Sequence, residues 1–170
     1  MLQSKQEFKP LKMSNEEVRE ITLRRLLEDN FTSSRHFRKL METLQDVSMR
    51  YYFQNLASRR SQFAMEISDE ISFYGGKRPF FPSNYYERKR EENCEEDKMK
   101  CIRKALKVNK TSLQKYQESL CRIHDGSCRE VILRHKAYIE NCIFELKSLK
   151  SLLKYSSSKD GHLNEIRSHS

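Results

Sequence analysis

The polar residues of greatest chemical interest interrupt stripes of apolar residues that follow the period of an α-helix. One stripe is Leu23, Leu27, Asn30, Ser34, Phe37, Met41 and Leu44, and another is Met99, Ile102, Leu106, Asn109, Leu113, Tyr116 and Leu120. Steps of three and four residues place each stripe on one buried helix face. Two metal ions inside a helical bundle need several inward carboxylates and usually a Glu-x-x-His pair. Asn30, Ser34 and Asn109 are not carboxylates, which argues against di-metal chemistry.

The Glu-x-x-His pair that would support a di-metal site is absent at both candidate histidines. The residue three positions before His36 is a serine, and the residue three positions before His135 is an isoleucine. Neither histidine therefore has a carboxylate partner one helical turn away. His135 lies on an apolar stripe, where we expect a core histidine that is hydrogen-bonded to Asn109 or Tyr116. We expect no cofactor; iron held by irregular ligands is the alternative.

A second candidate for metal binding is the run Cys121, His124 and Cys128, with C-x2-H-x3-C spacing near a turn. Two thiolates and an imidazole suit zinc. The run lacks a fourth local ligand and the paired second half that zinc motifs have, so an ordinary turn is favoured over a zinc site. Oxidation to a disulfide between the two cysteines is another alternative.

Signals for nucleophilic catalysis are absent from the sequence. The chain has no glycine-rich elbow and no phosphate-binding loop, since Gly75-Gly76 is its only glycine pair and follows a predicted helix. Cys142, four residues after Tyr138, fits a small residue of the core. The sequence therefore predicts a protein that is not an enzyme.

The composition indicates slender helices and leaves the partner open. The 170 residues include only four glycines and three prolines, and 34% are charged beside 36% hydrophobic. We therefore expect one all-α domain. The net charge of +9 favours anionic partners such as nucleic acid. The basic residues of 98–110 directly follow the acidic run 91–97, however, so nucleic-acid binding is only an alternative to a protein partner.

A compartment is predicted from what the sequence lacks and from its cysteines. Residues 1–13 lack the apolar run of a signal peptide, and no stretch has the apolar length of a transmembrane helix. These features predict a cytoplasmic protein that does not bind a membrane. The five cysteines are then expected to be free thiols; they are Cys94, Cys101, Cys121, Cys128 and Cys142.

Four helices are expected between a flexible leader at 1–13 and a disordered tail at 156–170. Their predicted bounds are 14–44, 46–74, 84–121 and 128–155. Ser14 opens a capping box, Asp46 can cap the second helix, and Gly75 can end it in the left-handed conformation. The prolines after Gly75 predict a crossover loop. Phe80 and Phe81 in this loop are predicted to pack over one end of the bundle, with partner docking as the alternative.

Several residues of the first half, about 22–76, carry a family resemblance. They are Leu26-Leu27-Glu28-Asp29-Asn30-Phe31, His36-Phe37, Phe53, Ala57, Arg60, Phe63, Glu66-Ile67, Ile71 and Gly75-Gly76-Lys77-Arg78-Pro79. With these residues the chain resembles an uncharacterised bacterial ferritin-like four-helix-bundle family, a domain of unknown function. Residues 113–120 are similar to the acidic-then-tyrosine helix of that family. The resemblance implies a ferritin-like bundle of two antiparallel helical hairpins joined by a crossover loop.

The resemblance also implies where metal ligands would lie. In such bundles the positions of Ser34, Arg59 and Asn109 tend to be acidic, whereas Glu66 is retained here. A single carboxylate and a nearby cation cannot neutralise two divalent ions. The resemblance therefore implies a degenerate metal site.

We expect a hydrogen-bonded polar layer in place of a metal layer, because buried polar groups are costly unless they are paired. The predicted members are Asn30, Ser34, Arg59, Glu66, Asn109 and His135, with Glu66 paired to Arg59 or Arg60. The predicted function is a non-catalytic bundle that acts in protein interaction or stress, with an unidentified partner and a possible homodimer. The alternatives are a metal-binding or iron-handling protein of the same fold and a basic nucleic-acid-associated bundle.

Overall fold

A computed structural model describes residues 13–79 and 97–167 of the chain, with side chains described as far as residue 156. These residues form four helices and no strand, so the all-α class is confirmed. The helices are α1 (Asn15–Thr43), α2 (Val47–Phe73), α3 (Lys98–Leu120) and α4 (Gly126–Arg167). Within the described ranges, no helix combines the length and the apolar character needed to cross a membrane.

The ends of α1 and α2 have the signals that the sequence predicts. Ser14 Oγ accepts a hydrogen bond from the backbone N–H of Glu17, and the Glu17 carboxylate accepts one from the N–H of Ser14 at 2.8 Å. Asp46 Oδ1 accepts from the N–H of Met49 at 2.8 Å. Gly75, with φ of +82°, follows the end of α2. The capping box, the second N-cap and the glycine stop are all confirmed.

The third helix begins later than predicted. Asp97 is extended and lies directly before α3, so a single helix over 84–121 is wrong. Aspartate is favoured at the residue before a helix, but the Asp97 side chain makes no capping hydrogen bond here. Phe80 and Phe81, like the whole of 80–96 and the leader at 1–12, lie outside the described residues.

The fourth helix begins at Gly126 and continues to Arg167, whereas the sequence predicts an end near 155 and a disordered tail. Residues 156–167 contain no proline and a single glycine, so nothing in the sequence forces the helix to stop. The Ser156 hydroxyl donates to the carbonyl of Leu152 at 3.0 Å. This bond to the carbonyl four residues earlier is one that a serine side chain makes within a continuing helix.

The four helices form a ring in which each neighbouring pair runs antiparallel. Helix α1 packs against α2 and α3, and α4 packs against α3 and α2. The contacts that fix the directions are Asp29 with Lys115, Thr43 with Cys101, Tyr52 with Glu145, and Glu70 with Cys128. Helices α2 and α3 therefore run in the same direction. The end of α2 and the start of α3 consequently lie at opposite ends of the bundle.

The core of the bundle is built from the apolar stripes. Every member of the two stripes on α1 and α3 is buried or half-buried. The largest fully buried apolar side chains include Leu23, Leu26, Phe37, Phe53, Ile67, Ile71, Ile102, Ile132 and Ile139. The burial of these side chains supplies the main stabilising free energy. Between these apolar layers the same stripes carry polar side chains to the centre.

Two glycines provide a matched test of the helix end. Gly75→Ala places a Cβ in the left-handed region, so we expect a loss of about 1 kcal/mol of unfolding free energy. Gly126→Ala at the start of α4 adds a Cβ that meets no atom within 4 Å and needs no positive φ. We expect this control to change the unfolding free energy by less than about 0.5 kcal/mol. Urea unfolding measures both; equal losses would contradict the assignment of Gly75 as the stop.

Candidate functional site

A fully buried arginine lies at the centre of the bundle. Arg60 of α2 is 1% exposed. Its Nη1 donates to Asn30 Oδ1 of α1 at 2.9 Å, and its Nη2 donates to Asn109 Oδ1 of α3 at 3.1 Å. Burial lowers the pKa of Arg60, but a guanidinium stays protonated in proteins. Among the described residues no carboxylate forms an ion pair with it, so two amide oxygens hold a whole positive charge.

The neighbours of Asn30 fix the orientation of its amide. Its oxygen must face the donors of Arg60, and its nitrogen faces two acceptors, the carbonyl of Leu26 at 2.8 Å and Tyr116 Oη at 2.6 Å. Asn109 is oriented in the same way, because its nitrogen donates to the carbonyl of Ala105 at 3.1 Å. Each amide thus presents its negative end to the guanidinium.

The hydrogen bonds continue from Asn30 to the surface in one direction. Because Tyr116 Oη accepts from Asn30, its O–H is available to donate to His135 Nδ1, 3.2 Å away. His135 Nε2 then carries the proton and donates to Glu66 Oε2 at 2.8 Å. We call the six linked residues the polar network; they are Asn30, Arg60, Glu66, Asn109, Tyr116 and His135. Its members come from all four helices.

The electrostatic states of His135 and Glu66 differ because their environments differ. The His135 side chain is fully buried and stacks on Phe63 with ring centroids 3.8 Å apart. Burial lowers the pKa of His135 to about 4, although Glu66 opposes the shift, so the imidazole is neutral near pH 7. Burial by itself raises the pKa of Glu66, but the hydrogen bonds and charges of His135 and Arg134 outweigh it and hold that pKa below its usual value. Glu66 is therefore ionised, and Arg134 pairs with it at 2.7 Å.

The structure brings four of the six predicted layer residues into the network. They are Asn30, Glu66, Asn109 and His135. Of the two predicted partners of His135, Tyr116 makes the hydrogen bond. Ser34 is buried as predicted but bonds elsewhere, with its hydroxyl donating to the carbonyl of Ala57 at 2.8 Å.

Arg59 does not belong to the layer, and its predicted role is wrong. Its side chain is exposed, donates to Gln62, and lies over the ring of Tyr138 at 5.5 Å. Arg60 takes the buried position because successive residues are turned by about 100° around a helix. The predicted pairing of Glu66 with Arg59 or Arg60 is also wrong, since Glu66 bonds to α4.

Sequence reasoning also missed a second buried group, Asp29 of α1. Its carboxylate accepts from Ser112 at 2.6 Å and from Lys115 at 2.5 Å, both on α3. Its side chain is only 7% exposed, whereas that of Lys115 is 33% exposed. A buried aspartate at the edge of an apolar stripe, with a hydroxyl and an ammonium across the interface, pairs α1 with α3.

The three candidate zinc ligands are not brought together. Cys121 and His124 are exposed, whereas Cys128 is buried and its thiol donates to Glu70 Oε2 at 3.3 Å. Burial, assisted by Glu70, raises the pKa of Cys128 to about 12, so it remains a thiol. Within residues 13–79 and 97–156, no three His, Cys, Asp or Glu side chains are arranged to hold a metal ion.

Cys121 and Cys128, for which a disulfide after oxidation is the alternative, are free thiols in the structure. Cys142 is also a free, buried thiol, as expected of a core residue. Burial raises the pKa of Cys142 to about 11. Cys94 lies outside the described residues.

The polar network does not fit the pair of metal ions that a ferritin-like bundle implies. Such a site needs several inward carboxylates, and the network offers Glu66 alone. The guanidinium of Arg60, held by two of the same residues that would face the ions, would repel them. The positive charge in this layer is the guanidinium of Arg60.

The network also lacks access for a substrate. A hydroxyl, an imidazole and a carboxylate in series resemble the order of groups in a hydrolase triad. Every member except Glu66, however, is at most 1% exposed. A small pocket of about 40 Å³ between α1 and α3 is lined by residues such as Thr22, Arg25 and Arg122, and by no network member. The arrangement can orient protons and support the fold, but it offers no open reaction centre.

Comparison with known proteins gives no family for the chain. No protein-family model matches it, and no curated protein matches it.

Two adjacent arginines test the network directly. Arg60→Ala leaves two buried amide oxygens without their donors and opens a cavity, so we expect a loss of at least about 3 kcal/mol of unfolding free energy. Arg59→Ala removes the same atoms from an exposed position, and we expect a loss below about 0.5 kcal/mol. Denaturant unfolding of both variants measures the difference. Similar losses would show that Arg60 does not hold the centre together.

The buried histidine predicts a pH dependence of stability. Because the folded state keeps the pKa of His135 near 4 and the unfolded value is about 6.5, the unfolded chain binds more protons between these values. Stability is therefore full above about pH 6.5 and falls as the pH is lowered towards 4. We expect a loss of about 1–2 kcal/mol between pH 7 and pH 5.

His135→Gln should flatten this dependence, whatever its effect on stability at pH 7, whereas His124→Gln at an exposed position should leave it unchanged. The measurement is the unfolding free energy from urea titrations at both pH values. An undiminished dependence in His135→Gln would contradict the assignment.

Proposed function

We propose that the protein is a non-catalytic, ferritin-like four-helix bundle that acts in the cytoplasm by binding a macromolecular partner through its outer surface. The observation that carries this proposal is the buried guanidinium of Arg60. It lies between Asn30 and Asn109, at the level where a ferritin-like bundle would hold metal ions. A cation fixed by hydrogen bonds at this level is incompatible with the binding of two divalent ions beside it.

The directions of the helices support the ferritin-like part of the proposal. Ferritin-like bundles pair their helices as two antiparallel hairpins with one long crossover connection. Here α1 with α2 and α3 with α4 are the hairpins, and α2 runs parallel to α3. That arrangement needs one long connection between the hairpins, and residues 74–97 provide it.

The burial of the polar network supports a role in binding over one in catalysis. Enzymes need a cleft in which reactive groups meet a substrate, and the groups that could react here are enclosed by the core. The outer surface carries the remaining exposed charges and several exposed apolar side chains, such as Tyr51 and Phe144. We therefore assign the function to this surface. Its partner is a protein, a second copy of the chain or another macromolecule.

Iron binding is the sharpest test of the metal-free part. The purified protein is mixed anaerobically with about two equivalents of ferrous iron, desalted, and analysed for metal; a second sample is exposed to air while ferric absorbance is followed. We expect no stoichiometric retention of iron and no faster oxidation than in buffer, because the network offers one carboxylate. About two irons per chain with rapid oxidation would overturn the proposal.

A control variant separates core binding from adventitious binding at thiols. Cys121→Ser with Cys128→Ser removes the two sulfur ligands of the only sequence-predicted zinc candidate. Iron or zinc that disappears in this double variant binds at the turn and leaves the interpretation of the core intact. Metal that persists in it, and disappears in Glu66→Gln, would establish a core site and contradict the proposal.

A further inference from the structure

The excess positive charge of the chain is concentrated on α3. This helix carries seven lysines and arginines and one acidic residue, Glu118, whereas the whole chain has a net charge of +9. Helices α1 and α2 each carry equal numbers of basic and acidic residues. A helix of one sign attracts polyanions over a distance of about a Debye length. The charge thus selects one side of the bundle as a candidate interface.

Three of these cations form a row on the outer face of α3, which we call the basic stripe: Arg103, Lys107 and Lys110. All three are exposed, and they follow each other by four and three residues. At 1.5 Å per residue the stripe is about 10 Å long. No ion pair of these three residues is formed with any described residue. Their charges are therefore not neutralised by ion pairs within the described bundle.

We infer that the basic stripe binds the phosphate backbone of double-stranded nucleic acid. This inference rests on the proposed function and names its partner class. One strand of a duplex carries a phosphate about every 3.4 Å of helix axis, so a stripe of this length faces about three phosphates. Thr111, exposed beside Lys110, adds a hydroxyl of the kind that binds phosphate oxygens.

The chemistry around the stripe favours a duplex over other polyanions. Binding of single strands relies on exposed aromatic side chains on which bases stack, and α3 exposes none: its tyrosine, Tyr116, is buried. Insertion into a membrane surface needs exposed large apolar side chains, and none of those found among the described residues lies on α3. The stripe offers charge and hydroxyl groups alone, which suits sequence-independent contact with phosphates.

Residues 98–117 of α3 include no acidic residue. Asp97 lies six residues before Arg103, a distance of about 9 Å along the helix. Glu118 lies two turns after Lys110 and accepts a hydrogen bond from Gln114 at 3.1 Å. Asp29 on α1 is engaged by Lys115 and Ser112. The charged side chains that α3 itself contributes between residues 98 and 117 are therefore all positive.

The experiment is a fluorescence anisotropy titration of a labelled DNA duplex of about 20 base pairs with the full chain. For about three phosphate contacts, log K should fall with log salt with a slope of about −2.7, so that raising salt from about 50 to about 200 mM weakens binding roughly 40-fold. The triple variant Arg103→Gln, Lys107→Gln, Lys110→Gln should lose at least about tenfold in affinity at low salt and most of that slope.

The matched control is the triple variant Arg50→Gln, Lys77→Gln, Lys154→Gln. It removes the same total charge from other elements and should keep the affinity within about twofold of the original. Thermal unfolding followed by circular dichroism verifies that both variants fold. Equal losses in the two triple variants would show a response to net charge alone and would overturn the inference.

Two competitors decide the class of partner. Polyglutamate and vesicles of anionic phospholipid, at equal charge concentration, should displace the duplex poorly. Displacement by either as effective as by unlabelled duplex, or no duplex binding at low salt, would also overturn the inference. Neither result bears on the absence of iron binding, so the metal-free bundle would stand while its nucleic-acid partner would not.

Discussion

The positive charge of Arg60 is the constraint on which the rest of the bundle centre depends. A guanidinium cannot give up its proton to become neutral inside a protein, so the surrounding helices must supply negative ends of dipoles. The amide oxygens of Asn30 and Asn109 do so from two neighbouring helices. Once their oxygens are directed to Arg60, their nitrogens must find acceptors, and this requirement determines the bonds to Tyr116 and to backbone carbonyls. The orientations of Asn30 and Asn109, and the bond of Asn30 to Tyr116, therefore follow from one buried cation.

The same centre explains why a bundle of this shape need not carry metal. In a metal-binding bundle, inward carboxylates repel each other until cations neutralise them. Here the positive charge belongs to a side chain of the protein, Arg60, and the groups around it are neutral amides. Glu66, the one carboxylate of the network, lies at its outer end, where it is partly exposed and pairs with Arg134.

The sequence predicts the ends of α1 and α2, but it misplaces the start of α3 and the end of α4 and predicts the centre only in part. Ser14, Asp46 and Gly75 act locally, within one turn, so their roles follow from residue type and spacing. The choice between Arg59 and Arg60 is a question of helix phase. Arg60 lies seven residues after Phe53 and seven before Ile67, a spacing that places it on the same buried helix face. The family resemblance implies a metal-ligand position at Arg59, so Arg59 is predicted in its place. The partner of Glu66 on α4 depends on how α2 and α4 are aligned against each other. The spacing of residues within one helix carries no information about that alignment.

The length of α4 has a consequence for how its last part is maintained. The alignment that places Tyr116 beside His135 sets the first residue of α3 opposite about residue 153 of α4. Beyond that point about 14 residues of α4, some 21 Å of helix, extend past the described ends of α3 and α2. A helix of this length is marginal in isolation because its first turn is costly to form. Within α4 the preceding turns are already held in the bundle, so the extension needs no nucleation of its own. Each further residue only propagates an existing helix.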